Sequence, residues 1–263
     1  MKKYFELCDE LRFDDHEWKS YFFSEVSALA YHDGTRVKRE ILRLGFKNYK
    51  FIDNDGAQCH IFHNSEHIVI AFRGTEPTQF SDVKADLLAF KRKSKTEGKV
   101  HMGFKIELRK LWNDISGILN RRTKQQIWIT GHSLGGAMAT LCASRLEERN
   151  PILYTYGSPR VGGREWRDGC DVEHHRFRNN NDVVPVIPLW LMGYRHHGKL
   201  CYINYYGNIR KLTLWQKLKD SMRGRWKALK KFQLFDGIYD HNITLYSDKL
   251  KDLYAYTGKI LIK

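Results

Sequence analysis

The sequence predicts an α/β fold, a central, mostly parallel sheet flanked by helices. Three observations carry that prediction. First, Ile127–Thr130 is a short apolar, β-branched run. It is followed by a glycine-rich turn and then by Ala137–Arg145, which is rich in helix formers and free of Gly and Pro. Second, strand-like runs alternate with amphipathic helical stretches on both sides of that turn. Third, no internal repeat or low-complexity linker divides the chain. Residues 1–263 therefore read as a single α/β domain, with a basic amphipathic insertion at about 205–236.

Taken in order, residues 16–31 show the spacing of an amphipathic helix, and Val37–Leu44 reads as a second, shorter one. Lys50–Asp53, Gln58–His63 and His67–Phe72 read as strands, the first two joined by the turn Asn54-Asp55-Gly56. A short helix is expected over Ser81–Lys91 and a longer amphipathic one over Lys105–Leu119. Ile152–Tyr156 is the next strand, with helical character at Gly163–Gly169 and a short strand at His175–Arg178. Lys199–Asn204 reads as an edge strand and Ile243–Tyr256 as the final helix.

The central turn carries chemistry. Gly131-His132-Ser133-Leu134-Gly135 is a Gly-x-Ser-x-Gly motif between strand and helix. A chain that turns this sharply needs small neighbours on both sides of the turn residue. The geometry lifts the Ser133 hydroxyl clear of the sheet and aims the Leu134 N–H, at a helix N-terminus, toward what Ser133 attacks. The bland alternative is a tight glycine turn with a serine N-cap.

A serine hydroxyl needs a base, and the base needs an acid that fixes its tautomer. In the order Ser, Asp, His, the acid is Asp182, in the polar turn after His175–Arg178, with Asp171 and Asp236 as rivals. His241 is the base, with His196 and His197 as alternatives. His174 and His175 precede Asp182 and fall outside the order. Arg73-Gly74-Thr75 ends an earlier strand and offers Thr75 as a second oxyanion donor opposite Leu134.

Composition narrows the class. Five scattered cysteines with no C-x-x-C pair argue against a disulfide framework or zinc site and for a reducing compartment. The N-terminus has two lysines and no apolar core after them, so no Sec-type signal is read. Val183–Met192 is too short to span a membrane. A cytoplasmic or peripheral-membrane protein is expected, with leaderless export as the other route. The net charge is +15. Residues 209–232 contribute +8 and residues 89–99 contribute +4, so the charge is local patterning on a nearly balanced chain.

Together these residues resemble the class 3 lipases, the fungal-type lipases and their bacterial and plant relatives. The resemblance covers roughly residues 25–256. Its landmarks are Ala71–Thr75, Val100–Phe104, Gly131–Ala137, Tyr156–Gly162, Asn181–Pro185, and Asp240-His241 with Tyr246. It implies an α/β-hydrolase fold, with Ser133 as nucleophile, Asp182 as acid, His241 as base, and Thr75 and Leu134 as oxyanion donors. Arg73, His101, Gly103 and Arg160 match positions read as structural. A short lid is implied at about Glu76–Ala85. The departures are the absence of a signal peptide and of disulfides, and the 58 residues between Asp182 and His241.

The implied activity is hydrolysis of lipid carboxylic esters through an acyl-enzyme, with no metal or organic cofactor. Val183, Val184 and Val186, with Ile187 and Leu189, are candidate acyl-pocket residues, the alternative being plain core. Phospholipase A1, monoacylglycerol lipase or acyltransferase chemistry would use the same residues. A non-catalytic lipid-binding module and a peptidase or general esterase are the further rivals.

Within the basic stretch, Trp215, Leu218, Met222, Trp226 and Leu229 fall on one helical face, with Lys and Arg mostly outside it. One reading is a surface helix packed on the core. The other is a peripheral contact with an anionic membrane, Trp at the interface and Lys/Arg over headgroups. No nucleic-acid partner is expected, since no recognition motif accompanies the charge.

Overall fold

The computed structural model describes residues 3–75, 91–122, 124–209 and 236–261. Strands β1 (Asn48–Asn54), β2 (Ala57–His63) and β3 (His67–Phe72) follow helices α1 (His16–Leu29) and α2 (Gly34–Arg43). A small hairpin, β4 (Lys91–Lys93) and β5 (Lys99–His101), leads into α3 (Met102–Leu119). Then come β6 (Gln126–His132), α4 (Leu134–Arg145), β7 (Ile152–Tyr156), α5 (Arg164–Asp168), β8 (Glu173–Asn179) and β9 (Lys199–Ile203). The short α6 (Asp236–Tyr239) and α7 (Ile243–Leu261) close the chain.

Seven strands form one sheet in the order β1-β2-β3-β6-β7-β8-β9. The first three run antiparallel, and from β3 onward all neighbours are parallel. Parallel strands bring their carboxyl ends to one edge, where α/β proteins place function. Alternation along the strands divides the core. Ile68, Ile70, Phe72, Ile127 and Ile129 face α3 and α4. Val69, Ala71 and Trp128 face the opposite layer, where α1 lies against α7.

Local chemistry starts the helices. Asp15 caps α1 by accepting from the Trp18 N–H, and Asp33 caps α2 by accepting from Thr35 and Arg36. Asp33 thus begins α2 three residues earlier than the apolar spacing indicates. Helix α4 is buried on every side from Gly135 to Ser144, and only small residues let it lie directly on the sheet. A Cβ on Gly135 would sit 2.4 Å from the Phe72 carbonyl oxygen, and one on Gly131 would sit 2.4 Å from Gly135.

The hairpin β4–β5 has no signature in the sequence, and Lys91, expected to end a helix, opens a strand instead. The rest of the expected Ser81–Lys91 helix, the Glu76–Ala85 lid and the Trp215–Leu229 stripe lie outside the described residues. Among the described residues no helix is long and apolar enough to cross a membrane. All five cysteines are free.

Candidate active site

Strand β6 ends at His132, and α4 starts at Leu134. Ser133, between them, has φ 56° and ψ −128°, a left-handed conformation that a side-chain-bearing residue adopts at a cost of about 1–3 kcal/mol. Its hydroxyl makes no capping bond to α4. Ser133 is therefore not an ordinary N-cap. Its Oγ lies 2.8 Å from His241 Nε2.

His241 stands in the turn between α6 and α7. Its Nδ1 lies 3.0 Å from each oxygen of Asp182. A carboxylate only accepts, so Nδ1 carries the proton and Nε2 is free to accept from the serine hydroxyl. Asp182 is fully buried, while Ser133 and His241 are 3% and 7% exposed. The Asp182 charge is compensated locally, because the Val184 N–H donates to Oδ1 at 2.9 Å and the Tyr246 hydroxyl donates to Oδ2. Burial, then the neighbouring Asp182 charge, pushes the Tyr246 phenol well above its ordinary value, so it stays a donor.

A second buried carboxylate holds the Asp182 loop. Asp240 accepts from the Asn180 side chain and the Asn181 N–H, both at 3.0 Å, and its carbonyl accepts from Asn179 Nδ2 at 2.9 Å. The residue before His241 thereby grips the three residues before Asp182.

His132 supports His241 from behind. Its Nε2 lies 2.7 Å from the His241 carbonyl, which only accepts, so Nε2 carries the proton. Its Nδ1 then accepts from the Tyr31 hydroxyl at 2.8 Å. Burial, then the proximity of His241, holds the His132 imidazole well below its ordinary value and keeps it neutral.

The Arg73-Gly74-Thr75 turn packs against the start of α4. A Cβ on Gly135 would lie 3.0 Å from the Gly74 nitrogen, and one on Gly74 would lie 2.6 Å from the His132 carbonyl oxygen. Thr75, half-buried, and Leu134 thus belong to segments in direct contact beside Ser133. Arg73 is held by Gln58, His101 caps α3, and Arg160 binds the Val186 and Pro188 carbonyls.

The rival residues are engaged elsewhere. His196 bonds the Pro185 carbonyl and His197 the Cys170 carbonyl, and burial depresses both imidazoles. Asp171 is exposed, and Asp236 begins α6. Among the suggested pocket residues, Val184 is buried in the core beneath α4, Val186 is half-buried, and Val183 and Leu189 are exposed. Val184 is thus a core residue that serves the site through its N–H. The apolar run follows a 3-10 turn over Val184–Val186, which sends consecutive side chains in different directions. Clefts of 590 Å³, lined by Tyr49, His63 and Arg121 among others, and of 390 Å³, lined by Lys199, Cys201 and Ile209 among others, include none of Ser133, Asp182 and His241.

The sequence reading assigned no role to His132, Asp240 or Tyr246, beyond counting them within motifs. The available signal was a run of three asparagines beside Asp182 and an aspartate beside His241. Such polar residues, once buried, must bond one another.

Comparison with known proteins finds lipases. Residues 69–192 match the family model for lipase (class 3). A lipase of Rhizomucor miehei is 32% identical over 152 residues, covering 52% of this chain and 41% of that protein. Toxin TseL of Vibrio cholerae is 30% identical over 185 residues, covering 53% of this chain and 29% of that protein. The chain thus spans less than half the length of either relative. A solved triacylglycerol lipase, described as having a serine protease triad at its catalytic centre, superimposes with a TM-score of 0.62 at 25% identity, covering 74% of this chain and 83% of that one. Over residues 69–192 this chain is thus similar to the class 3 lipase family, and its fold is the α/β-hydrolase fold of the solved lipase.

Proposed function

We propose that the protein hydrolyses carboxylic esters of lipids through Ser133, His241 and Asp182. The observation that carries the proposal is the continuous line from Ser133 Oγ through His241 to a buried carboxylate, at 2.8 and 3.0 Å. Ser133 Oγ attacks the ester carbonyl carbon while His241 Nε2 takes its proton. Asp182 keeps the imidazole oriented and stabilises the imidazolium. The N–H groups of Leu134 and Thr75 receive the oxyanion. His241 returns its proton to the departing alcohol. It then takes one from water, which attacks the acyl-enzyme, and passes it to Ser133 Oγ as the bond breaks and the fatty acid leaves.

The fungal lipase relative supports a lipid ester over a peptide substrate. Phospholipase A1 or acyltransferase chemistry would use the same residues and differ only in head group or in the final acceptor. In this reading the Trp215–Leu229 stripe contacts an anionic membrane, and the five free thiols fit a reducing compartment.

The experiment is hydrolysis of p-nitrophenyl esters, from acetate to palmitate, with and without anionic vesicles. The expected result is preference for long chains, stimulation by vesicles, and a fall of at least about a thousandfold in Ser133→Ala. Activity confined to acetate and indifferent to vesicles would discard the lipid assignment. Full activity in Ser133→Ala would discard the nucleophile.

A further inference from the structure

Between β8 and β9, four consecutive large apolar side chains stand in solvent. Leu189 is 43% exposed, Trp190 58%, Leu191 74% and Met192 41%. A run of this kind, unlike scattered single residues, marks an interaction surface. It is also a built tip. Trp190–Met192 forms a 3-10 turn closed by Gly193, whose φ of 78° suits glycine. Arg195 Nη1 donates to the Trp190 and Tyr194 carbonyls, both at 2.8 Å, and Lys91 Nζ donates to the Met192 carbonyl at 2.8 Å. The backbone under the apolar side chains is thus fastened by two cations.

Those cations belong to a larger group. The β4–β5 hairpin carries Lys91, Arg92, Lys93, Lys95 and Lys99 against one acid, Glu97. Lys93 directly faces Lys99 across the ladder, a like-charge pairing that disfavours the hairpin. Burial, then Arg195 and Lys99, lowers the Lys91 ammonium below its ordinary value. An external anion would relieve this crowding.

Isolated bridges fix where the two features lie. Val100 and Arg195 each pair with Gly162, just beyond the end of β7, so hairpin and tip flank one strand of chain. That strand leaves the sheet beside the end of β6, where Ser133 opens. An apolar tip bracketed by cations matches a bilayer with an anionic headgroup layer. Aromatic and aliphatic groups enter the interface while Lys and Arg stay among the phosphates.

We propose that the Leu189–Met192 tip and the basic β4–β5 hairpin form a docking surface for an anionic lipid bilayer. Trp190 and Leu191 insert, and Arg92, Lys93 and Lys99 lie over the headgroups. Docking places the protein on the lipid surface at which the proposed ester hydrolysis takes place, and in that respect it rests on the function proposed above. The docking itself does not require hydrolysis.

The test uses the full chain carrying Ser133→Ala, so that vesicles survive, and flotation with phosphatidylcholine vesicles with or without phosphatidylglycerol. The parent should float with anionic vesicles and much more weakly with neutral ones. Trp190→Ser/Leu191→Ser and Arg92→Gln/Lys93→Gln/Lys99→Gln should each weaken binding by about tenfold or more, and the triple variant should lose most of the salt dependence. With Ser133 restored, both variants should hydrolyse a short soluble ester as the wild type does, which shows that they fold. The proposal is overturned if either variant binds anionic vesicles within about twofold of the parent, or if the parent binds neutral vesicles equally well or neither kind. Loss of binding in Trp215→Ser/Trp226→Ser while the tip and hairpin variants bind as the parent does would also overturn it. Docking by these residues in a protein that cleaves no ester would remove the proposed function and leave the docking. Ester cleavage without docking would do the reverse.

Discussion

At the residue scale, one constraint on the site is a glycine outside the serine motif. Gly157 ends β7 with φ 57°, and a Cβ there would lie 2.8 Å from Asp182 Oδ2 and 2.9 Å from His241 Nδ1. The acid and base can meet only because nothing occupies that point. Gly157→Ala is expected to melt cooperatively yet lose about a hundredfold or more in kcat, since displacement of the imidazole by a fraction of an ångström breaks the line to Ser133. Ester kinetics beside a thermal melt would check this, and near-normal kcat would show that the loop yields. Gly157 stands out in the sequence only as part of Tyr156-Gly157-Ser158-Pro159, and its reason lies in two residues 25 and 84 positions away. His132 is similar. Its neutrality and its bond to the His241 carbonyl follow from burial, which the motif does not state.

At the element scale, α1 and α7 form one layer that positions the base, and Glu25 is the bolt between them. It is buried, accepts from the Phe5 N–H at 2.9 Å, and accepts from the Ser247 hydroxyl on α7. The same helix carries Tyr246, which holds Asp182. Glu25→Ala would leave two buried donors unpaired and should lower the unfolding free energy by roughly 2–4 kcal/mol. Urea denaturation measures this, and a loss under about 1 kcal/mol would mean that water replaces the carboxylate. Most of these elements were readable. The amphipathic spacing of residues 16–31, the turn at Asn54–Gly56 and the run Ile152–Tyr156 each became the expected element. The hairpin β4–β5 was not readable. Its lysine-rich strands have no alternating apolar pattern, and β5 gains its place from tertiary pairing to Gly162.

At the scale of the whole molecule, acid stability should be set largely by buried neutral histidines. Burial lowers His60 to about 4 and holds His132, His174 and His196 well below 6.5. Their unfolded forms titrate near 6.5. Between 6.5 and the folded values the unfolded chain therefore binds more protons, and stability falls as pH falls. Each contributes about 1.4 kcal/mol per pH unit once below 6.5, and stability should be flat above it on this account. Denaturation midpoints measured from pH 8 to 4.5 check this, with a shallower slope expected for His60→Gln. A slope unchanged in that variant would remove His60 from this account.

By itself the sequence showed most of the strands and helices, the nucleophile turn at Ser133, and a Ser, Asp, His order led by Asp182 and His241. These rest on local chemistry, namely side-chain periodicity, glycine at a sharp turn and capping residues. It left open which of several downstream histidines meets Ser133, because a separation of 108 residues carries no distance. Tertiary structure decided that. The parallel sheet aligns the carboxyl ends of β6, β7 and β8 at one edge, α7 packs on α1, and the Asp240 network draws the base to the acid loop. The same packing sent Val184 into the core and gave His196 and His197 other partners. Burial leaves each polar group only the partners that the fold brings within reach.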